Sequence, residues 1–196
     1  SDVCSSDLKV LFEEIEIPLL RVLAQMELNG IRLDTPYLSE LNSEFSSQIE
    51  KLENQIYEQA GETFNIGSPK QLGIVLFENL HLSKKPKKTK TGQYATGEDI
   101  LTELAKEHQI AKDILAYRSL TKLKSTYVDA LPQQVNPNTQ RVHTEFMQTV
   151  AATGRLSSVN PNLQNIPIRT AQGRRIRQAF IAKDENHILL AADYSQ

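Results

Sequence analysis

Apolar side chains recur at helical spacing through most of the first 130 residues, then give way to strand-like alternation and polar loops after Pro132. In the dense run from Leu11 to Leu28, Pro18 stands where a helix start tolerates it and Gly30 where a helix end favours it, which predicts a helix from about Pro18 to Asn29. Asp34, Thr35 and Pro36 form a second start signal, after which Leu38, Leu41, Phe45, Ile49, Leu52, Ile56 and Ala60 repeat at spacings of 3, 4, 4, 3, 4 and 4. A helix continuing to Gly61 would be roughly 40 Å long at about 1.5 Å per residue, so it needs a comparably long partner. A coiled-coil dimer is one such arrangement. The stripe ends after about three heptads, however, and Ile110 to Ala130 supplies a second long helix that stops at Pro132.

Between the long helices, Ser68, Pro69 and Gln71 read as N-cap, first-turn proline and capping-box partner of a helix through about Leu80, and Thr96 with Asp99 opens another. The stretch Lys84-Lys85-Pro86-Lys87-Lys88-Thr89-Lys90-Thr91-Gly92 should be a mobile tip between them. Past Pro132, Asn136-Pro137-Asn138 is turn chemistry and Arg141 to Val150 alternates, with Val142, Thr144, Phe146, Gln148 and Val150 on one face of an expected hairpin. Ala151 to Arg169 reads as a long polar loop, and Ile188 to Ala192 as an apolar strand running into Asp193. The expected fold class is α+β, a helical domain followed by the first strands of a second domain.

The charge is sorted along the chain, which the net value of -2 conceals. Lys9 to Ala60 carries -6, Asn79 to Gly97 holds five lysines and no acid, and Gln133 to Ala182 carries +5 from six arginines against Glu145. Two basic stretches on an acidic chain suit a polyanionic partner held at two places, or two solvated loops. No run approaches the roughly 20 apolar residues of a membrane-spanning helix, so no membrane association is expected. The single cysteine, Cys4, cannot form an internal disulfide, and a cytoplasmic setting follows by default. Residues 1–8, SDVCSSDL, resemble a translated sequencing adapter and are expected to have no packed place; the abrupt end at Gln196 suggests a chain cut inside a larger domain.

Thr153 to Ser158 and Asn162 to Pro167 are rich in amides, hydroxyls and an arginine fork. These groups donate hydrogen bonds without adding negative charge, which suits phosphates, sugars and base-edge acceptors. In the minor groove every pair offers acceptors at nearly equivalent places, so such donors test duplex shape without reading sequence. The same amides could equally tie the loop to its own backbone. Asp193 poses a similar choice, since a carboxylate ending an apolar strand can be a magnesium ligand or the cap of the next turn.

The stretch from Ala152 to Pro167, then Arg174-Arg175-Ile176-Arg177-Gln178-Ala179-Phe180 and Ala192-Asp193-Tyr194-Ser195-Gln196, resembles the family A DNA polymerases. The likeness extends upstream through Tyr117-Arg118 and Leu120 to Tyr127, and more loosely over Leu11 to Asp34. It implies a thumb over residues 9–131, with a tip loop at 83–92, and the N-terminal part of a palm over 132–196, truncated at the first metal-binding motif. Lys84, Lys85, Lys87, Lys88 and Lys90 would lie along the duplex backbone, and Lys122, Lys124, Ser125 and Thr126 would reach primer-strand phosphates. Arg155 would enter the minor groove at the primer terminus, with Asn162, Gln164, Asn165 and Arg169 beside it. Asp193 would bind two Mg²⁺ ions, the carbonyl of Tyr194 one of them, and Gln196 the incoming nucleotide. The implied partners are primer-template duplex DNA and, in the complete enzyme, deoxynucleoside triphosphates. A monomer is expected, and the 196-residue chain alone is expected not to polymerise, because the resemblance places other metal and nucleotide ligands beyond Gln196. A stand-alone duplex-binding module and a helical scaffold with a solubilising loop are the competing readings.

Overall fold

The computed structural model describes residues 8–192. The fold is α+β, and the chain divides into two compact units: one made of the residues up to Ser39 together with those from Thr126 onward, the other of Glu40–Ser125. The N-terminal helix therefore packs with the strand-bearing C-terminal residues, although the change of sequence pattern falls at Pro132.

In the first unit, helix α1 (Ile17–Asn29) follows a π-helical turn, Leu11–Glu16, so helical backbone begins upstream of the start expected at Pro18. Pro18, which lacks an N–H, stands in the first turn of α1, directly after the π-helical turn whose closing bond runs from the Ile17 N–H to the Phe12 carbonyl. Gly30 closes the helix at φ 58°, its N–H donating to the Met26 carbonyl at 2.9 Å, and a Cβ there would lie 2.6 Å from the Val142 carbonyl oxygen. Only glycine fits so close an approach to the next element. Strand β1 (Ile31–Leu33) then forms the centre of a three-stranded antiparallel sheet, flanked by β2 (Arg141–Val142) and by β5 (Phe180–Ile181).

Helix α2 (Thr35–Ala60) runs from the first unit into the second. Asp34 caps it by accepting from the Tyr37 N–H at 2.9 Å, and Gly61 closes it at φ 73°. Of its apolar stripe, Leu38, Leu41, Phe45 and Ile56 are fully buried and Ile49, Leu52 and Ala60 partly so. In the second unit the expected long partner is α5 (Gln109–Leu123), tied to α2 by Gln59 to Asp113 at 2.7 Å and by Tyr117 to Glu53 at 3.0 Å. Helices α3 (Pro69–Ile74) and α4 (Glu98–Leu104) complete this core with Ile66, Leu72, Leu76, Phe77, Leu101, Ile110 and Ile114.

Several elements depart from the pattern-based expectation. The helix from Pro69 loosens into a π-helical turn at Val75–Asn79, and Gln71 accepts from the Asn65 N–H rather than from the capping Ser68. Gly97, not Thr96, stands at the start of α4, because Thr96 is buried and engaged elsewhere. α5 gives way to a π-helical turn, Lys124–Val128, and Pro132 lies inside the short α6 (Ala130–Gln133), in its first turn, where its missing N–H leaves no bond unmade.

Arg141 to Gln148 keeps the alternation of burial, from buried Val142 and Thr144 to half-buried Phe146 and Gln148, but Val150, expected on the same face, is exposed, and the run does not form one strand. β2 pairs with β1, whereas β3 (Glu145–Met147) pairs antiparallel with β4 (Ser157–Val159), a strand inside the expected loop. The basic segment forms α7 (Ala171–Gln178), capped by Thr170, whose hydroxyl accepts from the Gly173 N–H at 3.0 Å. Ile188 to Ala192 is not a strand: among the described residues no strand lies beside it, and Ile188 and Leu190 are 87% and 86% exposed. No described helix is long and apolar enough to cross a membrane.

Candidate nucleic-acid interface

The lysine-rich segment is a hairpin-like turn rather than an open loop. Thr89 N–H donates to the Gln93 carbonyl at 2.7 Å, Gly92 N–H to the Thr89 carbonyl at 2.9 Å and Ala95 N–H to the Lys87 carbonyl at 2.9 Å, while Lys88 and Tyr94 face each other in an antiparallel bridge. Glycine at 92, with φ 80°, allows the reversal. Lys84, Lys85, Lys87, Lys88 and Lys90 are all exposed, and no ammonium among them makes an ion pair within the described residues. The Lys88 ammonium lies 5.1 Å from the Tyr94 ring centroid, and that ring packs at 5.2 Å against Phe77 of the core.

The outgoing arm of the hairpin is anchored by Arg118 of α5, whose guanidinium donates to the Thr96 carbonyl at 2.6 Å and to its hydroxyl at 3.5 Å. Burial pulls the Arg118 pKa down from its ordinary value, though a guanidinium stays charged in proteins. Ser125 lies in the π-helical turn that follows α5, and its hydroxyl donates to the Lys122 carbonyl at 3.3 Å. Lys122, Ser125 and Thr126 are exposed and Lys124 is half-buried.

In the first unit, Arg155, Asn162, Gln164, Asn165 and Arg169 belong to one continuous surface segment around β4. Asn162 and Gln164 spend their amides on that segment itself. The Asn162 side-chain oxygen accepts from the Gln164 and Asn165 N–H groups at 3.0 and 3.3 Å and from the buried Ser158 hydroxyl at 3.5 Å. Gln164 accepts from the Ser158 N–H at 3.1 Å and donates to the Leu156 carbonyl at 2.9 Å. Their exposed edges still retain donor capacity, since an Asn or Gln NH₂ offers two N–H groups. Arg155, Asn165 and Arg169 are exposed, and their side chains make no hydrogen bond to another described residue.

Two braces that sequence reading missed hold this segment. Arg174 of α7 donates to the carbonyls of Ile168 and Arg169 at 3.3 and 2.9 Å. Tyr127 donates from its hydroxyl to the Asn165 carbonyl at 2.5 Å. An aromatic with a polar tip at a buried helical position was the available signal for Tyr127; the fold-dependent partner was not.

Asp193, Tyr194 and Gln196, the expected metal and nucleotide ligands, lie outside the described residues. Among the described residues no group of three or more His, Cys, Asp or Glu side chains converges on a cation site.

Comparison with known proteins shows what the chain is similar to. The model of DNA polymerase family A matches residues 35–196. DNA polymerase I of Pseudomonas aeruginosa is 55% identical over 184 residues, covering 93% of this chain and 20% of that protein. The Geobacillus stearothermophilus DNA polymerase I is 52% identical over 186 residues, covering 95% and 21%. The chain thus spans about a fifth of the length of these relatives. Among solved structures, the POL domain of Pol1 from M. smegmatis, in complex with DNA primer-template and dNTP, superposes with a TM-score of 0.80 at 49% identity, covering 88% of this chain and 30% of that one.

Proposed function

Since this chain belongs to DNA polymerase family A, we propose that it is the primer-template-gripping part of a DNA-directed DNA polymerase: thumb over residues 9–131, tip at 83–92, and the start of the palm over 132–196. The observation that carries this reading is the hairpin of five exposed lysines that make no ion pair within the described residues, Lys88 resting over the Tyr94 ring and the other four open to phosphates, raised on a core built from two long helices. A row of ammonium groups free of carboxylates suits successive phosphates of a duplex, and each phosphate it neutralises releases condensed counterions. Lys122, Lys124, Ser125 and Thr126 add contacts to the primer-strand backbone. Arg155, Asn165 and Arg169 supply unspent donors for the minor groove, where they accept any correctly shaped pair. Asn162 and Gln164 hold that segment in shape and present their remaining N–H groups to the groove.

Asp193 and the carbonyl of Tyr194 would hold magnesium, and Gln196 would meet the incoming deoxynucleoside triphosphate. The ion, when bound, neutralises charge developing on the transferred phosphoryl group. A two-ion site needs more than one carboxylate. On this reading the 196-residue chain binds primer-template DNA weakly, is a cytoplasmic monomer, and does not extend a primer on its own. Titrating a labelled primer-template with the chain at two salt concentrations tests the reading: affinity must fall steeply with salt on a log-log plot. Absence of binding at low salt would refute it, and primer extension by the chain alone would refute the inactivity.

A further inference from the structure

Tyr127 belongs to the Lys124–Val128 turn, directly after Ser125 and Thr126, yet its hydroxyl reaches 38 residues along the chain to the Asn165 carbonyl. The residue is only 8% exposed, so the ring is fixed by packing and the O–H by its acceptor. We propose that Tyr127 is a positioning residue that locks the phosphate-contacting turn to the groove-contacting segment, so that a mispaired primer end loosens both contacts together. This rests on the functional reading above.

The carbonyl that Tyr127 grips is the end of a short hydrogen-bonded chain. Asn165 N–H is held by the Asn162 side chain, which also holds Gln164 N–H, and Gln164 in turn is pinned to Ser158 N–H and to the Leu156 carbonyl beside Arg155. A displaced Arg155 or Asn165 therefore pulls on a network whose far end is the Tyr127 hydroxyl, and Thr126 is its neighbour in the chain. Rigid networks of this kind transmit shifts that a loose loop would absorb. Burial raises the Tyr127 pKa above its ordinary value, so the phenol, a donor at neutral pH in any case, stays one further into the alkaline range.

The Tyr127→Phe substitution removes the tie and keeps the ring. Equilibrium binding of the full chain to fluorescent primer-template, with a paired or a mispaired 3′ end, is measured for Thr126→Val, Asn165→Ala and their combination, each with and without Tyr127→Phe. With Tyr127 present, the two single effects should fail to multiply by about threefold to tenfold, the coupling of one intact hydrogen bond. With Tyr127→Phe they should multiply to within about twofold, and the ratio of affinities for paired and mispaired ends should shrink by a similar factor. Unchanged coupling and an unchanged ratio in Tyr127→Phe, even with a uniform loss of affinity, would overturn the inference and mark Tyr127 as structural only. Failure of the unsubstituted chain to bind either duplex would instead overturn the functional reading itself.

Discussion

Replacing Lys84, Lys85, Lys87, Lys88 and Lys90 together with glutamine removes the charge of the hairpin while leaving its backbone bonds in place, since none of those bonds uses a lysine side chain. The loss can be scaled from the structure. Lys88 is already engaged at the Tyr94 ring, which leaves Lys84, Lys85, Lys87 and Lys90 to meet phosphates. At about 0.9 in log-log slope per phosphate neutralised, four contacts contribute about 3.6 to the salt dependence of duplex binding. Between about 50 and 200 mM salt the unsubstituted chain should then lose roughly 150-fold more affinity than the variant. Fluorescence anisotropy of a labelled primer-template, titrated across that range, reads both slopes, and thermal unfolding confirms that the core of Leu72, Leu76 and Leu101 is intact. Parallel slopes for the two proteins would refute the assignment of the hairpin to the duplex backbone and favour a solubilising role.

Two further outcomes follow from packing and from titration. Gly173→Ala should destabilise the chain by about 1–3 kcal/mol, because the new Cβ would lie 2.5 Å from the Pro167 Cβ and 2.8 Å from its carbonyl oxygen, outweighing the better helix propensity of alanine; a melting temperature equal to or above that of the parent would contradict this. Tyr117 has its pKa raised by burial, with its hydrogen bond to Glu53 and that carboxylate's charge adding to the effect. A group that holds its proton more tightly when folded contributes stability that is complete below the unfolded tyrosine value of about 10 and is lost as pH rises above it. Tyr117→Phe should accordingly flatten the alkaline limb of a stability-pH curve, and an equally steep limb would show that other groups govern it.

Signals confined to a few neighbouring residues were legible in the sequence. Asp34-Thr35-Pro36 and Gly61 bound the long α2, and its stripe from Leu38 to Ile56 is the buried face. Gly30 ends α1. What depended on distant pairing was not legible. β4 is short and polar, and exists because Glu145–Met147 lies beside it; Arg141 to Val150 reads as one alternating run but feeds two sheets. Ile188 to Ala192 has strand composition without a strand neighbour among the described residues. In the candidate site, residue types announced a donor-rich surface. Only the fold revealed that Asn162 and Gln164 spend much of that capacity inward, and that Tyr127 and Arg174 brace what remains.

The claim that this chain carries the DNA-holding face and a metal-binding carboxylate of a polymerase is tested most directly in the complete enzyme bearing Asp193→Ala. With magnesium, deoxynucleoside triphosphates and a primed template supplied, single-turnover incorporation should fall by several orders of magnitude while primer-template affinity stays within a few-fold of the parent's. Incorporation at close to the parental rate would contradict the account at its centre.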